Sequence, residues 1–139
     1  MRFSYVLEAG SWSRGRHQYD NVTVDTIAKA VEVLETQQEV AEFLVITNEE
    51  TYAILGTLPP AGPDHDAWLV QYSVPEVQMR GLFTKRPTNI ATVYEAAVSK
   101  TTFMELVQTF LAQGALAPGL PGFEIDHKEK LLPPDNYVD

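Results

Sequence analysis

The 139-residue chain contains no cysteine. That absence excludes a disulfide framework, a thiol nucleophile and any zinc site built on cysteine, and leaves three histidines and the carboxylates as potential metal ligands. Basic residues are scarce: ten Lys and Arg stand against nineteen Asp and Glu, for a formal net charge of −9 and an isoelectric point near 4.7. Such a balance works against a broad cationic surface, so direct nucleic-acid binding is not expected. No apolar run approaches the roughly 18–20 residues that a membrane-spanning helix needs. The segment Met1–Glu8 is short and alternating and is interrupted by Glu8, unlike the continuous apolar centre of a secretory signal. A cytoplasmic protein with no membrane association is the expectation, and 45% hydrophobic residues suffice for one domain with a true core.

The common catalytic signatures are missing too. There is no phosphate-binding Gly-x-x-x-x-Gly-Lys-Ser/Thr loop, no Gly-x-Gly-x-x-Gly and no Gly-x-Ser-x-Gly. Asp64-His65-Asp66 has ligand-type residues, but consecutive residues rarely converge on one ion and no fourth ligand stands nearby. Lys85-Arg86 reads as a soluble turn rather than a phosphate site. No metal, no cofactor and no enzymatic activity are expected.

What is present is unevenly placed. Between Ala30 and Met79 there is no Lys or Arg, yet nine acids occur there: Glu32, Glu35, Glu39, Glu42, Glu49, Glu50, Asp64, Asp66 and Glu76. Outside that window ten acids balance ten bases, so the window holds the whole excess. Either it is a solvated surface, or it is an electronegative face that steers encounter with a basic protein.

Phe3, Tyr5 and Leu7 alternate with Ser4, Val6 and Glu8, which predicts a half-buried strand. The Gly- and Arg-containing stretch 9–21, with Trp12, follows as a loop or short hairpin. Thr23 caps a helix over Val24–Gln37 with Ile27, Val31 and Leu34 on one stripe. Phe43–Thr47 and Thr51–Leu58 predict a hairpin around Asn48-Glu49-Glu50, and Pro59–Asp66 an exposed loop. Ala67–Ser73, Val77–Phe83 and Ile90–Val98 read as three more strands, with a tight connection at Pro75-Glu76. Ser99 caps a second helix carrying Phe103, Leu106, Val107, Phe110 and Leu111, stopped by Gly114. Phe123–Ile125 closes the pattern as a short edge strand. The segregated order predicts an α+β fold: an antiparallel meander sheet with two helices packed on one face, forming a single domain over 1–125 with a mobile tail over 126–139.

Three stretches carry a family resemblance: Phe43-Leu44-Val45-Ile46-Thr47-Asn48-Glu49-Glu50, then Asp66-Ala67-Trp68-Leu69-Val70-Gln71-Tyr72, then Val98-Ser99 opening a helix that contains Phe110 and ends at Gln113-Gly114, with Pro118 and Phe123 beyond. In these the chain, from about Val33 to Glu124, resembles the bacterial immunity proteins paired with deaminase toxins of polymorphic toxin systems. The resemblance implies a small acidic α+β inhibitor that binds a cognate toxin and blocks its active or substrate-binding site by occlusion. Glu49, Glu50, Asp64, Asp66 and Trp68 are the candidate partner-binding residues, the four acids as a plug for a basic cleft and Trp68 as either an anchor or a core residue. A non-enzymatic adaptor of a secretion or phage system is the alternative, and a small hydrolase with an unrecognised carboxylate site the third.

Overall fold

Regular structure begins where the apolar alternation begins. The computed structural model describes residues 1–8, 17–37, 41–60, 67–80 and 86–130. In chain order these form β1 (Phe3–Glu8), β2 (His17–Tyr19), α1 (Val24–Thr36), β3 (Phe43–Asn48), β4 (Ala53–Leu58), β5 (Trp68–Arg80), β6 (Arg86–Val98), α2 (Lys100–Gln113) and β7 (Glu124–Lys130). The seven strands pair antiparallel in one sheet, in the order β2-β1-β3-β4-β5-β6-β7. The expected α+β architecture is the observed one. Among the described residues no helix is long and apolar enough to cross a membrane.

Both helices start on the caps visible in the sequence. The Thr23 hydroxyl accepts from the Thr26 amide while the Thr26 hydroxyl accepts from the Thr23 amide, so two orphan donors are satisfied reciprocally. Ser99 accepts from the Thr102 amide. α2 ends on Gly114 at φ 81°, where its N–H donates to the Phe110 carbonyl. Ile27, Ala30, Val31 and Leu34 of α1 and Phe103, Val107 and Phe110 of α2 are buried against Leu44, Ile46, Leu55, Trp68, Val70 and Tyr72. Strand residues of this set alternate, and in register they face one another: Ile46 opposite Leu55, Leu55 opposite Tyr72. They define the helix-covered face, where each large apolar side chain contributes about 1.5–3 kcal/mol.

Two polar pins tie the layers together. Buried Asn48, at the end of β3, donates from Nδ2 to the Gly114 carbonyl (2.9 Å) and accepts from the Glu50 amide (3.1 Å). Tyr72 donates from its hydroxyl to the Ala117 carbonyl (2.9 Å) and accepts from the Leu120 amide (3.2 Å), holding the segment after α2.

The structure corrects the expected layout at three places. Pro75 is not in a turn: it pairs with Ala91 inside a continuous thirteen-residue strand. Pairing of β5 with β4 ends at Tyr72, so Pro75 lies where one side of β5 is open and a missing N–H is tolerated. Consequently two strands, not three, span 68–98. The domain also extends past residue 125, because β7 runs to Lys130 and pairs with β6 through a bulge at Val93/Tyr94. Of the expected tail, 126–130 is an edge strand, and 131–139 lies outside the described residues.

Candidate functional site: the open face of the sheet

Two helices on one side leave the other side of the sheet to be accounted for. Its side chains follow from the register. One row crosses all seven strands: Gln18, Val6, Val45, Gly56, Gln71, Glu95 and Glu124. On one side of it lie Glu8 opposite Phe43, and Leu58 opposite Leu69, which is opposite Ala97. On the other side lie Ser4, Thr47 and Ile54, then Ser73, Val93 and His127.

The centre of this face is apolar and recessed. Phe43, Val45, Ile54, Gly56, Leu58, Leu69 and Gln71 line a groove of about 280 Å³. Leu58 and Leu69 are 41% and 38% exposed. The recess exists because Gly56 interrupts the row with no side chain. Gly56 is not among the glycines with positive φ. A Cβ there would sit 3.2 Å from the Leu44 carbonyl oxygen, a tight contact against the backbone of the paired strand β3. A glycine inside a central strand costs roughly 0.5–1 kcal/mol relative to alanine, and it commonly marks close approach by a ligand or another backbone.

Acidic groups stand on both sides of the groove. Glu8 adjoins Phe43 on the β1 side. On the other side Glu95, which accepts from Gln71 Nε2 at 3.0 Å, lies directly opposite Glu124. Like charges so paired repel. Further along β7, His127 is bracketed by Asp126 and Glu129, and these hydrogen bonds, that with Asp126 first, raise its pKa above 6.5. Among the described side chains the register places a single Lys or Arg on this face, Arg2, which is ion-paired with Glu49. Lys128 opposes Thr92 and so lies on the helix side.

Of the sequence-predicted site residues, Glu49 and Glu50 share one turn, Trp68 is core, and Asp64 and Asp66 lie outside the described residues. Glu49 is only 17% exposed, pairs with Arg2 and accepts from Gln18 Nε2. Glu50 is open to solvent and lies 3.5 Å from the N-terminal ammonium. Both occupy the β3–β4 turn. Asp64 and Asp66 lie outside the described residues, but the segment that holds them is attached at Pro60 and Ala67, at the other end of β4. Six strand residues at about 3.4 Å each put the two ends of β4 some 17–20 Å apart. Trp68 is resolved as core: 2% exposed and stacked on Phe103 with ring centroids 6.3 Å apart, it offers a partner no surface. Trp12 and His65 lie outside the described residues.

Sequence reasoning did not single out the groove. Its signal was nevertheless present: Phe43–Ile46 and Ile54–Leu58 carry apolar residues on both parities of the strand, while a glycine sits mid-strand.

Ser73, His127 and Asp126 supply the residue types of a hydrolytic triad around a smaller recess of about 100 Å³ lined in part by Ser73, Val93, His127 and Glu129. His127 Nε2 meets Glu129 at 3.1 Å, Ser73 Oγ accepts from the Ile54 amide at 2.9 Å, and Val93 of β6 stands between Ser73 and His127 in the row. Among the described residues no three His, Asp or Glu side chains converge as a metal-ligand set. No protein family, curated protein or solved structure matches the chain.

Proposed function

We propose that this protein is a non-catalytic inhibitor that binds a cognate bacterial toxin in the cytoplasm and occludes its active or substrate-binding site, as the immunity proteins it resembles do. The observation that carries this reading is the apolar groove over Gly56 on the open face of the sheet. Exposed apolar recesses rimmed by polar groups mark protein contacts, and burying Leu58, Leu69 and Phe43 against a partner supplies the driving force. The acidity supports the same reading. A toxin that acts on nucleic acid has a cationic cleft, and a chain of net charge −9 is steered toward it.

The test is co-expression with the product of the adjacent gene. A stable one-to-one complex together with restored growth is expected, and the folded double variant Leu58→Asp/Leu69→Asp is expected to lose both. Toxicity undiminished in the presence of the wild-type chain overturns the reading. A complex without protection favours the adaptor alternative, which uses the same face.

A further inference from the structure

We propose that the open edge of β5, from Val74 to Arg80, binds an extended, proline-free segment of a partner protein as an added antiparallel strand. The inference rests on the toxin-binding reading for the identity of the partner and on the backbone of β5 for the chemistry of the contact.

β5 and β6 stay paired over thirteen residues, from Trp68 opposite Val98 to Arg80 opposite Arg86. On its other side β5 is paired for less of its length. β4 meets it only from Leu69 to Tyr72, and the Ile54 amide then donates to the Ser73 hydroxyl at 2.9 Å, so a side chain takes the donor where the ladder ends. Among the described residues no strand pairs with this side of β5 from Val74 to Arg80, a stretch of about 20 Å.

The direction of the free backbone groups follows from alternation. The Thr57 hydroxyl donates to the Leu69 carbonyl at 3.1 Å, which shows that Leu69 turns its backbone groups toward β4. Every second residue of an antiparallel strand shares that direction, so Pro75, Val77 and Met79 turn theirs to the open side, while Val74, Glu76, Gln78 and Arg80 turn theirs to β6. The prolines agree with this phase. Pro75, and Pro87 opposite Met79, both stand where the nitrogen points away from the other strand of the ribbon, the position a ladder tolerates. The open edge therefore offers donors at Val77 and Met79 and acceptors at Pro75, Val77 and Met79. Another extended backbone matches that row, and five hydrogen bonds close the pair.

The remaining edges are less suited to an added strand. β2 has three residues, β7 carries Glu124, Asp126, Lys128 and Glu129 beside a bulge, and β6 beyond its last pair with β7 is open only over residues 86–89, which include Pro87. A second copy fits the β5 edge less well than a foreign strand. Two-fold pairing centred on Val77 would set each Met79 carbonyl against the donorless nitrogen of the other copy's Pro75, so two of the six bonds of such a ladder are lost. Each chain, running on past Arg80, would also head toward the other's Ala53, where β4 begins.

The probe is a synthetic peptide of alternating threonine and valine between terminal lysines, in two forms of equal charge. One is N-methylated at alternate residues, which leaves one edge able to pair and stops self-association; the other is N-methylated throughout. Isotope-labelled full-length protein is followed by amide NMR and hydrogen exchange. The half-methylated peptide is expected to shift the Val77 and Met79 amides and slow their exchange roughly tenfold or more, with no such change from the fully methylated one. Val77→Pro/Met79→Pro, which removes both outward donors and leaves the groups facing β6 in place, is expected to weaken binding roughly tenfold or more. Pro75→Ala restores a sixth bond and is expected to tighten binding about twofold or more, and it tests the edge if the double proline variant fails to fold.

Equal effects of the two peptides, full protection of the Val77 and Met79 amides in the free protein, or binding indifferent to Pro75→Ala overturns the proposal. Toxin neutralisation that survives undiminished in folded Val77→Pro/Met79→Pro overturns it too, while leaving the inhibitor reading intact. Pairing of the half-methylated peptide at β5 in a protein that neutralises no toxin supports the edge and overturns the inhibitor reading instead.

Discussion

The two faces of the sheet are built from similar residues and put to opposite use. On one face Leu44, Ile46, Leu55, Trp68, Val70 and Tyr72 are sealed beneath α1 and α2. On the other, Phe43, Val45, Ile54, Leu58 and Leu69 line an accessible groove, and acids rather than helices border it. Residues adjacent in sequence thus have different energetic meaning. Trp68 and Leu69 are neighbours in β5, yet one packs on Phe103 and the other is 38% exposed. Apolar character alone does not tell a core from a contact surface; what distinguishes them is which face a second layer covers.

The largest expected effect tests that contrast directly. Trp68→Ala should cost about 3–5 kcal/mol in urea denaturation, because it leaves a cavity against Phe103. Leu69→Ala should cost less than about 1 kcal/mol. Equal losses would break the distinction between the faces.

Next comes the pin on the covered face. Asn48→Ala removes the donor to the Gly114 carbonyl and the acceptor for the Glu50 amide in a buried place, and should cost about 1–3 kcal/mol in the same assay. Amide exchange at the C-terminal end of α2 should accelerate with it.

A smaller effect of opposite sign is expected in the β3–β4 turn. Tyr52 holds φ 61°, a left-handed conformation that costs a non-glycine residue about 1–2 kcal/mol. Glycine avoids that strain but loses more chain entropy, so Tyr52→Gly should stabilise by about 0.5–1 kcal/mol, read as a raised thermal midpoint.

The smallest effect belongs to the acidic edge of the open face. The hydrogen bonds of His127 with Asp126 and then Glu129 favour the imidazolium. A histidine whose folded pKa is raised adds stability fully below its unfolded value near 6.5, and that contribution fades as pH climbs through the folded pKa. NMR titration should therefore show His127 titrating above 6.5. Asp126→Asn should lower that value toward 6.5, and an unshifted titration in the wild type would remove His127 from the charge pattern of this edge.

Much of the fold was legible because local chemistry and tertiary packing agree. Thr23 and Ser99 cap where helices begin, Gly114 stops α2, and the stripes of Ile27-Val31-Leu34 and Phe103-Val107-Phe110 are the buried ones. Legibility failed where position within the sheet overrides residue type. Pro75 reads as a strand terminator, but along β5 beyond Tyr72 one side of the strand is open. The run Asp126–Lys130 lacks apolar residues and reads as tail, yet charged side chains suit an edge strand because they discourage further pairing. Among the site residues, Glu49 and Glu50 lie in the expected turn, while Asp64 and Asp66 lie outside the described residues.

The sequence by itself determined the absence of cysteine chemistry, the sign and the uneven distribution of charge, both helices with their caps, and the α+β class, because each depends on residue type and near-neighbour spacing. Only the tertiary structure decided that Trp68 is core and that Gly56 opens a groove on the face the helices leave uncovered. Those outcomes depend on strand order and register, which bring residues 39 positions apart into one row, as with Val6 and Val45 or Gly56 and Glu95. Pairing at that range is fixed by which faces can be buried together, a property of the assembled sheet rather than of any one segment.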